Sequence, residues 1–165
     1  MSTHHILQNR IDTPLGPMLV ARSRQGLSGL WFEGQRHHPG DLGVLVGSDP
    51  LFDRLAAAIT RYFHGEAFDA ALLRDLDPAG TQFQRAVWRA LLAIPSGETQ
   101  SYGTLAALLG RPSAVRAVGA AIGRNPISIV IPCHRVLGAD GSLTGYAGGL
   151  PRKEALLTLE GARFH

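Results

Sequence analysis

The stretch IPCHRV (131–136) contains the only cysteine of the chain, Cys133, followed directly by His134 and Arg135. A thiolate is a strong nucleophile, and basic or cationic neighbours lower the pKa of a thiol. By residue type alone, a lone cysteine is more often buried and unreactive. The two polar side chains directly after an apolar run favour the other interpretation, in which Cys133 performs nucleophilic chemistry beside a base.

The segment before the motif is expected to position the cysteine. Residues 127–131 are mostly β-branched and predict a strand, which Pro132 ends. Cys133 would then be presented at a strand end, where reactive groups are often found. Further along, Asp140-Gly141 predicts a tight turn.

The last predicted helix covers residues 151–161 and carries its charges in an unfavourable order. Arg152 and Lys153 fall in its first turn and Glu160 in its last, which opposes the helix macrodipole. Glu160 is therefore expected to have a partner outside the helix. A frayed, solvated helix end is the alternative explanation.

Upstream of the cysteine, two short helices with a three-residue connection favour a helix-turn-helix. The first has Ser101 as its N-cap and ends at Gly110. The connection is GRP (110–112), and the second helix is predicted over residues 113–123.

The second of these helices has two unlike faces. Its expected buried stripe consists of apolar residues: Val115, Val118 and Ile122. The opposite face carries small side chains: Ser113, Ala117 and Ala120. Arg116 lies at the edge of that small-residue face. Such a face lets the backbone approach a broad, flat partner such as DNA, whereas a helix buried on both sides would need a partner for Arg116.

The first half of the chain predicts a separate unit. Short apolar runs divided by turn signals indicate an antiparallel meander, and residues 49–65 predict a packed helix that starts at Asp49 and Pro50. We therefore expect an α+β protein with an N-terminal α/β domain over 1–79. A mainly helical domain with the helix-turn-helix would occupy 80–165.

Composition narrows the classes of function. The 165 residues carry a net charge of +3, with fifteen arginines and one lysine. Arginine suits contacts to phosphates and bases, although a GC-rich genome gives the same bias. The start of the chain is polar, and no apolar run is long enough to cross a bilayer. With a single cysteine we expect a reduced protein in the cytoplasm (or the nucleus of a eukaryote), with no metal or other cofactor and no membrane partner.

Several motifs together resemble the O6-alkylguanine-DNA alkyltransferases, repair proteins that move an alkyl group from guanine O6 to their own cysteine. The similar stretches are SYGTLA (101–106), VRAVGAAIGRNP (115–126), IPCHRV, GYAGGL (145–150) and RKEALLTLE (152–160). They lie in the family's order within residues 81–161. The first 80 residues resemble the family's N-terminal domain more loosely, which implies a ribonuclease H-like fold there.

The resemblance implies a catalytic role for each of five residues. Cys133 would be the alkyl acceptor, and His134 would act as its base through a bound water. Glu160 would orient His134 and stabilise its charge. Tyr102 would crowd the phosphate of the target nucleotide and donate a proton as guanine leaves. Asn125 would be the hinge between the helix-turn-helix and the active-site segment, although a turn residue before proline is the simpler explanation.

The resemblance also implies binding surfaces for double-stranded DNA with a flipped-out base. Arg116 would fill the gap in the base stack. The other residues expected to contact DNA are Tyr102, Ser113, Ala114, Ala117, Gly119 and Ala120. The residues expected to line the base pocket are Val136, Tyr146, Ala147 and Gly148. The substrates would be O6-alkylguanine and O4-alkylthymine, and each protein molecule would react once. The protein is expected to be a monomer that could assemble cooperatively on DNA.

Two features depart from the family. Some members bind zinc through cysteines of the N-terminal domain, and this chain has none there. Ala147 stands where other members have serine, so a hydrogen bond at that position must come from the backbone. Two other interpretations remain open: a cysteine hydrolase using Cys133 and His134, and a DNA-binding regulator or damage sensor that performs no transfer.

Overall fold

The computed structural model describes residues 4–40 and 42–165. By its contacts the chain divides into two compact units. The first extends to Ala79 and also includes Pro126–Ser128. The second consists of Gly80–Asn125 and Ile129–His165. A sheet dominates the first unit and helices dominate the second, so the predicted α+β class is confirmed.

The sheet of the first unit contains the predicted meander. Strands β1 (Leu7–Ile11), β2 (Met18–Arg22) and β3 (Leu27–Phe32) pair antiparallel, in agreement with the prediction. The short strand β4 (Val44–Leu45), which was not predicted, pairs parallel with β1 and gives the order β3-β2-β1-β4. Two residues are too few to produce a recognisable alternation in the sequence.

Helix α1 (Pro50–Phe63) begins as its sequence predicts. The side chain of Asp49 accepts hydrogen bonds from the backbone N–H groups of Leu51 and Phe52, and Pro50 occupies the first turn. A second, shorter helix, α2 (Ala70–Arg74), follows and was not predicted.

Helix α3 (Gln82–Leu92) opens the second unit. Its N-terminus has a capping box, in which the Thr81 and Gln84 side chains each bond to the other residue's backbone. The indole N–H of Trp88 donates to the carbonyl of Ala121 at 2.9 Å, which joins α3 to the second helix of the helix-turn-helix.

The helix-turn-helix consists of α4 (Tyr102–Leu108), capped by Ser101, and α5 (Val115–Gly123). The prediction that the second helix begins at Ser113 was wrong. Residues 111–114 form a turn closed by the Ala114 N–H to Arg111 C=O bond, so the helix starts two residues later.

The predicted buried stripe of α5 was partly wrong. Val118 and Ile122 are buried as expected and Ala121 joins them, but Val115 is 38% exposed. Val115 lies in the first turn of the helix, one turn before the first buried position.

The predicted strand at 127–131 does not form. Ile127 makes an isolated bridge with Leu30 within the first unit, and the next residues turn, with Ile129 at φ 71°. A β-branched residue at positive φ interrupts any extended run. The apolar composition reflects burial, which strands and buried turns share.

The strand follows the cysteine instead of preceding it. Cys133–Arg135 form one 3-10 turn. Strand β6 (Val136–Leu137) then pairs parallel with β5 (Gln100–Ser101), directly before α4. The cysteine segment and the start of the helix-turn-helix are thus joined by backbone hydrogen bonds.

Helix α6 (Leu150–Leu159) ends the second unit and agrees with the predicted helix. Its buried side includes Lys153, Leu156 and Leu157. The tight turn at Asp140-Gly141 is present, closed by the Gly141 N–H to Gly138 C=O bond. Nowhere in residues 4–40 and 42–165 is a helix both long and apolar enough to cross a membrane.

Candidate active site around Cys133

Cys133 lies in the 3-10 turn and is only 6% exposed. Burial raises the pKa of its thiol above the ordinary 9.0, because a thiolate loses its hydration there. A hydrogen bond from the Asn125 side chain and the charge of Lys153 act in the opposite direction but do not outweigh burial. The expectation that the adjacent His134 and Arg135 would lower this pKa was therefore wrong, both in the net direction and in the residues responsible.

His134 is completely buried and its Nε2 lies 2.8 Å from Oε2 of Glu160. Burial lowers the pKa of the imidazole more than Glu160 raises it. The ring is thus neutral near pH 7, with its proton on Nε2 facing the carboxylate and a lone pair on Nδ1. Nδ1 is buried and has no hydrogen-bond partner within the described part of the chain.

Glu160, the C-cap of α6, has partners outside its helix, as its unfavourable charge at a helix C-terminus predicted. Besides His134, it accepts hydrogen bonds from Nε and Nη2 of Arg135 at 2.8 and 2.9 Å. Nη1 of the same arginine donates to the carbonyl of Ile94 at 2.6 Å. Arg135 therefore anchors Glu160 and the end of α3, a structural role that its position next to Cys133 did not reveal.

Lys153 is the main residue that the sequence did not identify as part of the site. Its buried ammonium donates to the carbonyls of Val136, Thr144 and Gly145 at 2.6, 2.8 and 3.3 Å. Burial lowers its pKa to about 8, against the opposing effect of the Cys133 charge. The available signal was the chain's single lysine in the first turn of a helix, where a cation is unfavourable.

Asn125 connects α5 to the cysteine segment. It is buried two residues beyond the last residue of α5, and its side-chain Nδ2 donates to the carbonyl of Ile131 at 2.8 Å. The same side chain hydrogen-bonds to the thiol of Cys133. Asn125, the residue expected to act as a hinge, is thus held to the cysteine segment by hydrogen bonds to Ile131 and Cys133.

The residues expected to line a base pocket follow the cysteine along the chain. Val136 and Tyr146 are buried, and Ala147 and Gly148 are half-buried. The carbonyl of Val136, expected to contact a base, accepts a hydrogen bond from Lys153. Because a carbonyl oxygen has two lone pairs, this bond leaves one acceptor position.

The expected DNA-contacting face of α5 is open to solvent. Arg116, Ala117 and Ala120 are exposed, and Gly119 is half-buried. In the turn before the helix, Ser113 is exposed and Ala114 is half-buried. The alternative in which α5 is buried on both sides is therefore wrong.

Tyr102, the first residue of α4, lies against α5. A Cβ atom placed on Gly119 would lie 3.8 Å from the Tyr102 ring, so the ring packs beside a position without a side chain. The phenol oxygen accepts a hydrogen bond from the hydroxyl of Thr144 at 3.2 Å. Within the residues that the structure describes, no group of three or more His, Cys, Asp or Glu side chains could hold a metal ion.

Comparison with known protein families matches both units. Residues 82–162 match the family described as 6-O-methylguanine DNA methyltransferase, DNA binding domain. Residues 6–74 match the family described as 6-O-methylguanine DNA methyltransferase, ribonuclease-like domain. These matches confirm the resemblance drawn from the motifs, including the looser resemblance of the first 80 residues to the family's N-terminal domain.

Individual relatives agree with the family matches. The methylated-DNA–protein-cysteine methyltransferase of Mycobacterium leprae is 47% identical over 150 residues, which cover 91% of this chain and 89% of the relative. The protein of the same name from Salmonella typhimurium is 47% identical, with 94% and 96% covered. The crystal structure of Mycobacterium tuberculosis OGT in complex with DNA superimposes with a TM-score of 0.83 at 44% identity, covering 94% of this chain and 93% of that one. The chain belongs to the 6-O-methylguanine-DNA methyltransferase family.

Proposed function

We propose that the chain repairs alkylated DNA by direct reversal, with Cys133 as the acceptor of the alkyl group. The observation that carries the proposal is the buried thiol between two groups suited to activate it. Lys153 and Asn125 stabilise its anion, and His134, which is paired with Glu160, follows it directly in the chain. The substrates would be O6-alkylguanine and O4-alkylthymine in double-stranded DNA.

The thiol needs a base because its raised pKa keeps it protonated at neutral pH. His134 is neutral and has Nδ1 available to take the proton through one bound water. Glu160 then stabilises the imidazolium across the 2.8 Å contact with Nε2. The ammonium of Lys153 stabilises the thiolate that remains.

The transfer is a single displacement at the alkyl carbon. The Cys133 sulfur forms a bond to that carbon as the carbon–O6 bond breaks, and the bonding electron pair stays on the base. Tyr102 gives its phenol proton to the departing base and later regains one from solvent. The product is a thioether, which none of these groups can hydrolyse, so each protein molecule reacts once.

The exposed face of α5 suits the approach to a duplex. Its small side chains, Ala117 and Ala120, let the helix backbone lie close to DNA, and Arg116 projects beside them. A planar guanidinium can stack and hydrogen-bond in the space that a flipped base leaves. The Mycobacterium tuberculosis relative crystallised with DNA supports this partner.

The segment from Val136 to Gly148 would receive the flipped base. Val136 offers the remaining lone pair of its carbonyl, and Tyr146 offers an apolar ring. At Ala147 the backbone N–H replaces the serine hydroxyl of other family members. Ala147 and Gly148 are half-buried and have small or no side chains, so a purine would meet little side-chain bulk at their main chain.

The proposed reaction requires no metal or other cofactor, and it consumes one protein molecule for each lesion repaired. It also needs a reducing compartment such as the cytoplasm, where the thiol of Cys133 stays free. A cysteine hydrolase would instead regenerate its thiol in each cycle, and a damage sensor would bind without any transfer.

The test counts transferred groups. Increasing amounts of duplex with a radiolabelled O6-methylguanine are mixed with a fixed amount of protein, with Cys133→Ser as the control. We expect label on the protein to rise to one group per molecule and then stop, and to be absent from the serine variant. Continued demethylation beyond that plateau, or label on the serine variant, would contradict the proposal.

A further inference from the structure

Thr144 connects the two ends of the site through its hydroxyl and its backbone carbonyl. Its hydroxyl donates to the phenol oxygen of Tyr102 at 3.2 Å, across 42 positions of the sequence. Its carbonyl accepts from the Lys153 ammonium at 2.8 Å. The same ammonium influences the charge of Cys133. Hydrogen bonds therefore connect Lys153, whose charge acts on the thiol, through Thr144 to Tyr102.

The direction of the hydroxyl bond matters for a proton donor. A phenol has one proton, and an oxygen that already accepts a hydrogen bond keeps that proton available for another acceptor. If Tyr102 gives its proton away, the oxygen becomes negative and the bond from Thr144 becomes charge-assisted, which strengthens it. An interaction that is stronger in the transition state than in the ground state accelerates a reaction.

Thr144 is the residue that contacts the hydroxyl end of Tyr102. The ring packs beside Gly119 of α5, which has no side chain to direct the phenol. The residue is half-buried at the first position of α4. The backbone of Thr144, in contrast, is fixed by the buried Lys153.

We propose that Thr144 is a positioning residue for the transfer reaction: it holds the Tyr102 phenol toward the target base and stabilises the developing tyrosinate. This role rests on the proposed function, in which Tyr102 donates the proton that the departing base takes up.

The test compares variants in single-turnover transfer from duplex containing O6-methylguanine. Thr144→Val keeps the shape of the side chain and removes the hydroxyl, whereas Thr144→Ser keeps the hydroxyl. Tyr102→Phe and the Tyr102→Phe/Thr144→Val double variant complete a mutant cycle. Thr158→Val, at an exposed position of α6, is the matched control.

We expect Thr144→Val to lower the limiting rate about tenfold, the size of one moderately strong hydrogen bond. The DNA concentration for half-saturation and the thermal unfolding midpoint should not change. Thr144→Ser should recover most of the rate. In the Tyr102→Phe background the valine substitution should have almost no further effect, because the oxygen it acts on is gone.

Three outcomes would overturn the inference. Thr144→Val could transfer at the rate of the parent, or it could slow Tyr102→Phe by the same factor as the parent, which would place its effect elsewhere. Tyr102→Phe could also react at the parental rate, which would remove the proton-donor role but leave transfer to Cys133 intact. Failure of the parent to transfer any methyl group would instead refute the proposed function.

Discussion

At the scale of single residues, the reactivity of Cys133 depends on groups that oppose the effect of burial. Burial raises the pKa of the thiol, and Asn125 and Lys153 reduce that rise. In the proposed mechanism the neutral His134 takes the thiol proton and Glu160, 2.8 Å from its Nε2, stabilises the cation that results. The carboxylate is therefore expected to control both the base and the nucleophile.

Replacing Glu160 with glutamine tests this relay. The imidazolium that forms when His134 takes the thiol proton would lose its stabilising charge, so transfer should slow by roughly 10- to 100-fold. Arg135 would also be left as a buried cation without its carboxylate, which should lower the free energy of unfolding by about 3 kcal/mol.

The measurements for Glu160→Gln are single-turnover transfer and denaturant unfolding. Glu98→Gln, at an exposed position of the same unit, is the control. A Glu160→Gln protein that transfers and unfolds like the parent would reduce Glu160 to an ordinary helix end.

The buried Lys153 predicts how stability depends on pH. Its folded pKa of about 8 lies below its ordinary value of 10.5, so above pH 8 the unfolded state binds more protons and stability rises with pH. Between pH 8 and 9 this gain should be about 1 kcal/mol. Cys133 has the opposite effect, because its raised pKa lowers stability above pH 9.

Denaturant unfolding in a Cys133→Ser background isolates the lysine. Stability should increase from pH 8 to 9 in that background. In the Cys133→Ser/Lys153→Met double variant the increase should disappear, whatever the absolute stability. Identical slopes in the two proteins would show that Lys153 does not titrate in this range.

At the scale of elements, an experiment on helix α5 distinguishes binding of the DNA duplex from recognition of the alkylated base itself. Arg116 is exposed on the face whose neighbours are small. Arg116→Ala should slow transfer from duplex about tenfold or more, because extrusion of a base costs a few kcal/mol. Transfer from free O6-alkylguanine should change little, since nothing has to be flipped.

Two further variants sharpen the Arg116 experiment. Arg116→Lys should recover part of the duplex binding but little of the rate, because an ammonium cannot stack as a guanidinium does. Arg124→Ala, which removes an exposed charge at the other end of α5, is the control for net charge. Equal losses on duplex and free base would mean that Arg116 supports the fold or the pocket.

The elements that were predictable from sequence are those with local signals. The caps of Asp49, Thr81 and Ser101 fix helix starts through side-chain bonds to nearby backbone, and each is present. The segment 127–131 was mistaken for a strand because its turn depends on the positive φ of Ile129. That conformation is imposed by the surrounding packing and leaves no trace in composition.

The same distinction applies to the site. The unfavourable charge of Glu160 in its own helix predicted a partner outside that helix, and the resemblance to the family named His134 as that partner. Lys153 broke the same rule and was not recognised, since a first-turn lysine is usually solvated. Its burial follows from three carbonyls that come from separate segments, around Val136 and Thr144. Such convergence depends on the tertiary structure.

At the scale of the whole molecule, binding to undamaged DNA should be electrostatic. The chain carries fifteen arginines and a net charge of +3, and neutralised phosphates release counterions. Affinity for undamaged duplex should therefore fall steeply with added salt and depend little on sequence. Arg116→Ala should reduce the slope of log affinity against log salt concentration by about one at most, the contribution of a single phosphate contact. A strong preference for one undamaged sequence that persists at high salt would favour a regulator.

The central claim is that Cys133 itself receives the alkyl group. Intact-mass measurement after mixing with duplex that contains O6-methylguanine, followed by peptide mapping, tests it most directly. The account predicts a gain equal to one methylene per molecule, located on the peptide that contains Cys133 and absent from Cys133→Ser. Demethylated DNA together with unmodified protein, or the added mass on any other residue, would contradict it.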